Sequence, residues 1–128
     1  MPMATGRLTV ITALAMQVAA PALAHHSNVA FDVETVKQVQ GTVKQFDWMN
    51  PHIWITLVVP GEGTYDEWRL EGRPPSILVR AGWTRDTIRQ GDKITIFYSP
   101  AKDGTHTGLI ARVTLADGTI LANAPREP

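Results

Sequence analysis

The chain of 128 residues has no cysteine. That absence excludes a disulfide framework, thiolate-bound zinc, iron–sulfur clusters, a c-type haem attachment and a lipidated N-terminal cysteine. Charge of one sign is also missing, because twelve Lys+Arg balance twelve Asp+Glu. A chain without net charge lacks the positive field on which nucleic-acid binding relies. With 44% hydrophobic residues it also lacks the apolar poverty of a disordered chain. Repeats and low-complexity tracts are absent. One apolar run stands near the N-terminus, over residues 8–18. It falls short of the ~20 residues that a bilayer crossing needs. The length allows one domain.

What is present begins with an address. Arg7 supplies a cationic start, the apolar run follows, and Pro21-Ala22-Leu23-Ala24 has the small-x-small pattern that signal peptidase accepts. Residues 1–24 therefore read as a secretory signal peptide, and the expected location is periplasmic or secreted. Cleavage after Ala24 would remove Arg7 and leave a slight acidic excess. A mature chain of this size buries ~65% of its unfolded surface, enough for one core.

The mature part divides into an arm over 25–35, a β-rich domain over 36–122 and a loose tail over 123–128. A first strand is predicted over 36–48, with Gly41 as a bulge or bend. After Asn50-Pro51 comes the clearest strand, over 52–59. There Ile53, Ile55, Leu57 and Val59 share one face, and His52, Trp54, Thr56 and Val58 share the other. A third strand runs over 65–71, with Trp68 and Leu70 on its apolar face. Pro74-Pro75 open a short helix and Gly82 closes it; a further turn capped by Thr84 follows over 84–90. Strands then run over 93–99, with Ile94 and Ile96 inward, and through Leu109, Ala111, Val113 and Leu115. The Asp117-Gly118 turn leads to a last short strand over 119–122. The order is mainly β, with one short helix between strands three and four. It fits a small five-stranded antiparallel Greek-key barrel of the OB type. An open antiparallel sheet or small sandwich uses the same strands.

Several motifs spread over the mature chain also carry a likeness. They are Ala24-His25-His26-Ser27, Asn50-Pro51-His52-Ile53-Trp54, Trp68-x-Leu70-Glu71, Arg80-x-Gly82-Trp83-Thr84, Gly91-Asp92 and Pro100-Ala101-x-Asp103-Gly104. In this combination the chain resembles a family of small bacterial secreted proteins defined as a domain of unknown function. The resemblance implies a periplasmic single domain with an OB-like barrel, and it carries no activity. One departure is Asn28-Val29, where an aromatic residue is expected.

The histidines are His25, His26, His52 and His106. Cleavage after Ala24 makes His25 the first residue, with an α-amine whose ordinary pKa is about 7.7–8.0, so a metal displaces its proton at modest cost near neutral pH. Amine and imidazole of one His can chelate a single ion, and a second imidazole completes a three-nitrogen set. That arrangement resembles the histidine brace of periplasmic copper proteins, and copper(II) favours nitrogen-rich tetragonal sites. His52 is the expected distant ligand, with His26 as a substitute or addition. The plain alternative is that the His pair merely suits the peptidase, and that His52 bonds backbone or Asp47. Trp48 and Trp54 flank the Asn50-Pro51-His52 segment, and with Thr56 they form a candidate ligand face. Trp68 and Trp83 are expected in the core. No acidic pair, nucleophile elbow or phosphate loop is present. The expected function is thus a periplasmic binding protein for copper or another divalent metal. The alternative is a metal-independent module that binds a peptide, glycan or partner enzyme on the face of strands two and three. A copper enzyme and a haem-handling role for His106 stand behind these.

Overall fold

Alternation of β-branched and polar residues makes β2 (Trp54–Pro60) a strand with one dry face, on which Ile55 and Leu57 are fully buried. The same rule shapes β1 (Lys37–Asp47), β3 (Tyr65–Glu71) and β4 (Lys93–Pro100). Together with β5 (Thr107–Thr114) and β6 (Ile120–Ala122) they form one sheet in the order β3-β2-β1-β4-β5-β6. A computed structural model of the chain describes residues 29–124. Its sheet closes on itself, because β3 also pairs with β5 in parallel through Arg69↔Thr107, Leu70↔Gly108 and Glu71↔Leu109. The expectation of a mainly β chain with a five-stranded barrel and one short helix holds. Closure removes the open edges that a sandwich or open sheet would leave.

The barrel fills with its own side chains: Val39, Val43, Ile53, Ile55, Leu57, Leu70, Ile94, Ile96, Ile110 and Val113 are all buried. Each contributes roughly 1.5–3 kcal/mol relative to exposure. Between β3 and β4 the chain crosses one end of the barrel. There α1 (Pro75–Leu78) runs into a 3-10 turn, Val79–Ala81, and stops at Gly82, whose φ of 92° is left-handed. Leu78, Ala81, Trp83 and Ile88 plug that end, and the Trp83 indole N–H donates to the Ala122 carbonyl at 2.8 Å. Trp83 is core, as its sequence setting predicts.

Three details differ from the sequence reading. Gly41 keeps register opposite Ile94; the irregularity lies between Val43 and Gln45, which makes Lys44 the bulged residue. Gly41 is instead needed for close approach, since an added Cβ would stand 2.8 Å from the Val58 carbonyl oxygen. On β5 the inward residues are Gly108, Ile110 and Val113, while Ala111 is exposed. The ladder steps from Phe97↔Arg112 to Tyr98↔Ile110, so the unpaired Ala111 reverses the alternation. The segment after Trp83 turns at Thr84 as expected: the Thr84 hydroxyl accepts from the Asp86 N–H at 3.3 Å, and the Thr87 N–H donates to the Thr84 carbonyl at 3.2 Å. Asn123, assigned to the tail by sequence, is buried and bonded; residues 125–128 lie outside the described part.

Candidate functional site

Because Ile55 and Leu57 face inward, Trp54, Thr56 and Val58 face outward, and the register sets their neighbours. Trp54 lies between Asp47 and Glu71, Thr56 between Gln45 and Arg69, and Val58 between Thr42 and Glu67. Cross-strand neighbours on one face stand about 4.5–5.5 Å apart, close enough to interact. The Arg69 guanidinium lies over the Trp54 ring at 4.3 Å, and the bulged Lys44 reaches Glu67.

His52 stands just before β2 rather than in it. The adjoining backbone is tied to the strap after β3, since Gly72 N–H donates to Ile53 carbonyl at 2.9 Å. His52 Nδ1 lies 2.6 Å from Glu71 Oε1. The Glu71 side chain is 14% exposed and the His52 side chain 39%. A mostly buried acid thus stands beside a more open imidazole. Asp47, the acid expected to bond His52, instead accepts from the Gln45 amide at 2.6 Å.

The tryptophans divide differently from their sequence spacing. Trp48 meets Phe46 edge-on at 5.8 Å, and Phe46 in turn lies 6.5 Å from Trp83, so Trp48 packs against the core. No ring contact joins Trp48 to Trp54. Trp54 and Thr56 of the expected ligand face share one side of β2, with Arg69 and Glu71 of β3 beside them and His52 next to Glu71. Glu71 closes the Trp68-x-Leu70-Glu71 motif without a role assigned to it, and the alternation of β3 places both Arg69 and Glu71 on the face opposite Leu70.

His25 and His26 lie outside the described residues. The chain that follows them is anchored at the start of the β4–β5 loop. Lys102 N–H donates to Ala30 carbonyl at 3.0 Å, Phe31 bridges Ala101, and Asp32 N–H donates to Pro100 carbonyl at 2.9 Å. In the same loop His106 is stacked on Trp68, with centroids 4.5 Å apart and planes 7° from parallel. Trp68 also meets Tyr98 edge-on at 5.4 Å. Trp68 shares the parity of the buried Leu70 but is only half-buried, because it stands at the barrel rim. Burial pushes the Tyr98 phenol above its ordinary pKa of 10.0. The Asp32 carboxyl is held below the ordinary 3.8 chiefly by the Thr35 hydroxyl, with Lys102 adding to the effect. Among the described residues no group of three or more His, Asp or Glu side chains is placed to hold a metal ion.

A family model described as a family of unknown function (DUF6152) matches residues 13–112. No curated protein matches the chain. The family match spans well over half of the sequence and covers all of β1 to β4 and most of β5, so the chain belongs to the DUF6152 family.

Proposed function

We propose that this chain is a periplasmic or secreted binding protein that holds copper or another divalent metal through nitrogen ligands. Its barrel is of the Greek-key OB type, with the ligand beside strands β2 and β3. Signal cleavage after Ala24 frees the His25 amine, which chelates together with its own imidazole. His52 Nε2 supplies the distant nitrogen, and His26 is an added or substitute ligand. One observation carries this reading: His52 Nδ1 lies 2.6 Å from Glu71 Oε1. Metal-bound histidines almost always donate their other ring N–H to such a partner, which sets the tautomer and the ring orientation. Four residues separate His25 from the anchored Ala30, so five steps of chain span at most roughly 17 Å.

The test is a copper(II) titration of processed protein whose N-terminus is verified by mass. His52→Ala removes a ligand, and Glu71→Gln weakens affinity about 10- to 100-fold. A form with one extra residue before His25 loses the amine ligand and binds more weakly. Equal affinity of the extended form, or loss on His106→Ala with none on His52→Ala, refutes this ligand set.

A second reading is favoured by the Arg69–Trp54 stack beside Thr56. In it the face of β2 and β3 binds a peptide, a glycan or a partner enzyme without metal. Pull-down with Trp54→Ala then loses the partner, chelators have no effect, and His25→Ala is silent.

A further inference from the structure

We propose that the cleft at the barrel end opposite α1 is a second site, independent of the metal reading, that takes a small organic anion with a flat ring, such as an aromatic carboxylate. The cleft has a volume of about 630 Å³, within the range of about 300–1,000 Å³ typical of small-ligand sites. Its walls come from five parts of the chain, the segment before β1 contributing Asp32. Lys37 opens β1, Trp68 stands on β3, Tyr98 stands on β4, and the β4–β5 loop supplies Lys102 and His106.

Three rings build one side. His106 is exposed and lies flat on Trp68, while Tyr98 supports Trp68 from its edge. One face of the imidazole is covered by indole, and the exposed remainder is a platform already aligned for another planar group. The arrangement leaves an aromatic stack at the surface, where a loop would ordinarily present small polar groups.

Charge selects the ligand's sign. Lys37 and Lys102 line the cleft against one acid, Asp32. Asp32 accepts from Thr35 and feels the Lys102 charge, both of which favour its ionised form, so the two lysines outnumber the acid by one. Among the described residues no carboxylate makes an ion pair with Lys37. A ring stacked on His106, with its carboxylate toward Lys37, satisfies both features. A metal cation would meet the lysines instead.

The experiment is calorimetric titration of the full chain with 2-naphthoate, 2-naphthalenemethanol, cyclohexanecarboxylate and inorganic phosphate, with amide and indole NMR shifts as a second readout. Naphthoate is expected to bind with a Kd of roughly millimolar or better. It should shift the indole signal of Trp68, while the neutral alcohol, the non-aromatic acid and phosphate bind at least about tenfold more weakly. Lys37→Met and His106→Ala both change exposed side chains. Each should weaken naphthoate by about tenfold, and His52→Ala should leave it unchanged. Phosphate binding as tightly as naphthoate, the alcohol binding equally well, or indifference to both variants would overturn the assignment. So would the absence of saturable binding.

Discussion

Asn123 offers a quantitative test of how the barrel is held shut. Along one edge of β5, pairing with β3 ends at Leu109, and pairing with β6 covers Arg112 to Thr114. The backbone of Ile110 and Ala111 falls in the gap. Asn123 fills it: its N–H donates to Ala111 carbonyl at 3.0 Å and its side-chain amide donates to Ile110 carbonyl at 2.6 Å. The amide oxygen accepts from Arg73 N–H at 2.9 Å, on the strap that also holds Ile53. Asn123→Ala keeps the backbone bond and removes both side-chain bonds. Each buried group left unpaired costs about 1–3 kcal/mol. Arg73 is near solvent, so water relieves part of that loss, and we expect a total of about 2–4 kcal/mol. For a domain of this size that is a fall in Tm of roughly 10–25 °C. Asn123→Asp should be no better: it can accept from Arg73 but sets a charge against the Ile110 carbonyl. Urea unfolding by tryptophan fluorescence gives the numbers, with an unchanged m-value as the control for two-state behaviour. A loss under about 0.5 kcal/mol for Asn123→Ala would refute the claim that this amide closes the gap, since that is the ordinary effect of a surface substitution.

Two further outcomes follow from local geometry. In Gly108→Ala the new Cβ would stand 2.3 Å from Tyr98 Cδ2 and 2.9 Å from the Ser99 carbonyl oxygen. The Tyr98 ring must move, at about 1–3 kcal/mol, and thermal unfolding together with the Tyr98 ring shifts in NMR reports it. The Asp117 carboxyl is lowered below 3.8 chiefly by the Thr119 backbone N–H, and then by the Thr119 side chain. A depressed acid contributes stability above its unfolded pKa and loses it as pH falls through the folded value. The stability gap between the natural chain and Asp117→Asn should therefore be present at neutral pH and close below pH 3.8. Acid titration of both proteins by urea unfolding checks the sign, and a gap that widens toward low pH would be the wrong one.

The alternation in Ile53, Ile55 and Leu57, the paired prolines before α1 and the glycines at 82 and 118 are local chemistry. They specify strand faces, a helix start and turns without reference to distant residues, so the strands and the plug were legible in sequence. His52, Trp54 and Thr56 could be assigned to one outer face for the same reason. The tertiary structure decided what stands beside them. Glu71 pairs with His52 and Arg69 covers Trp54 only because β3 pairs with β2 in one particular register. A single unpaired residue, Ala111, reverses which side of β5 is buried, and no period within the strand announces it. Likewise Trp48 turns to the core through Phe46, and His106 finds Trp68 across 38 positions of chain. Periodicity is a property of neighbouring bonds, whereas these contacts come from ring closure, which brings together residues that share no local signal.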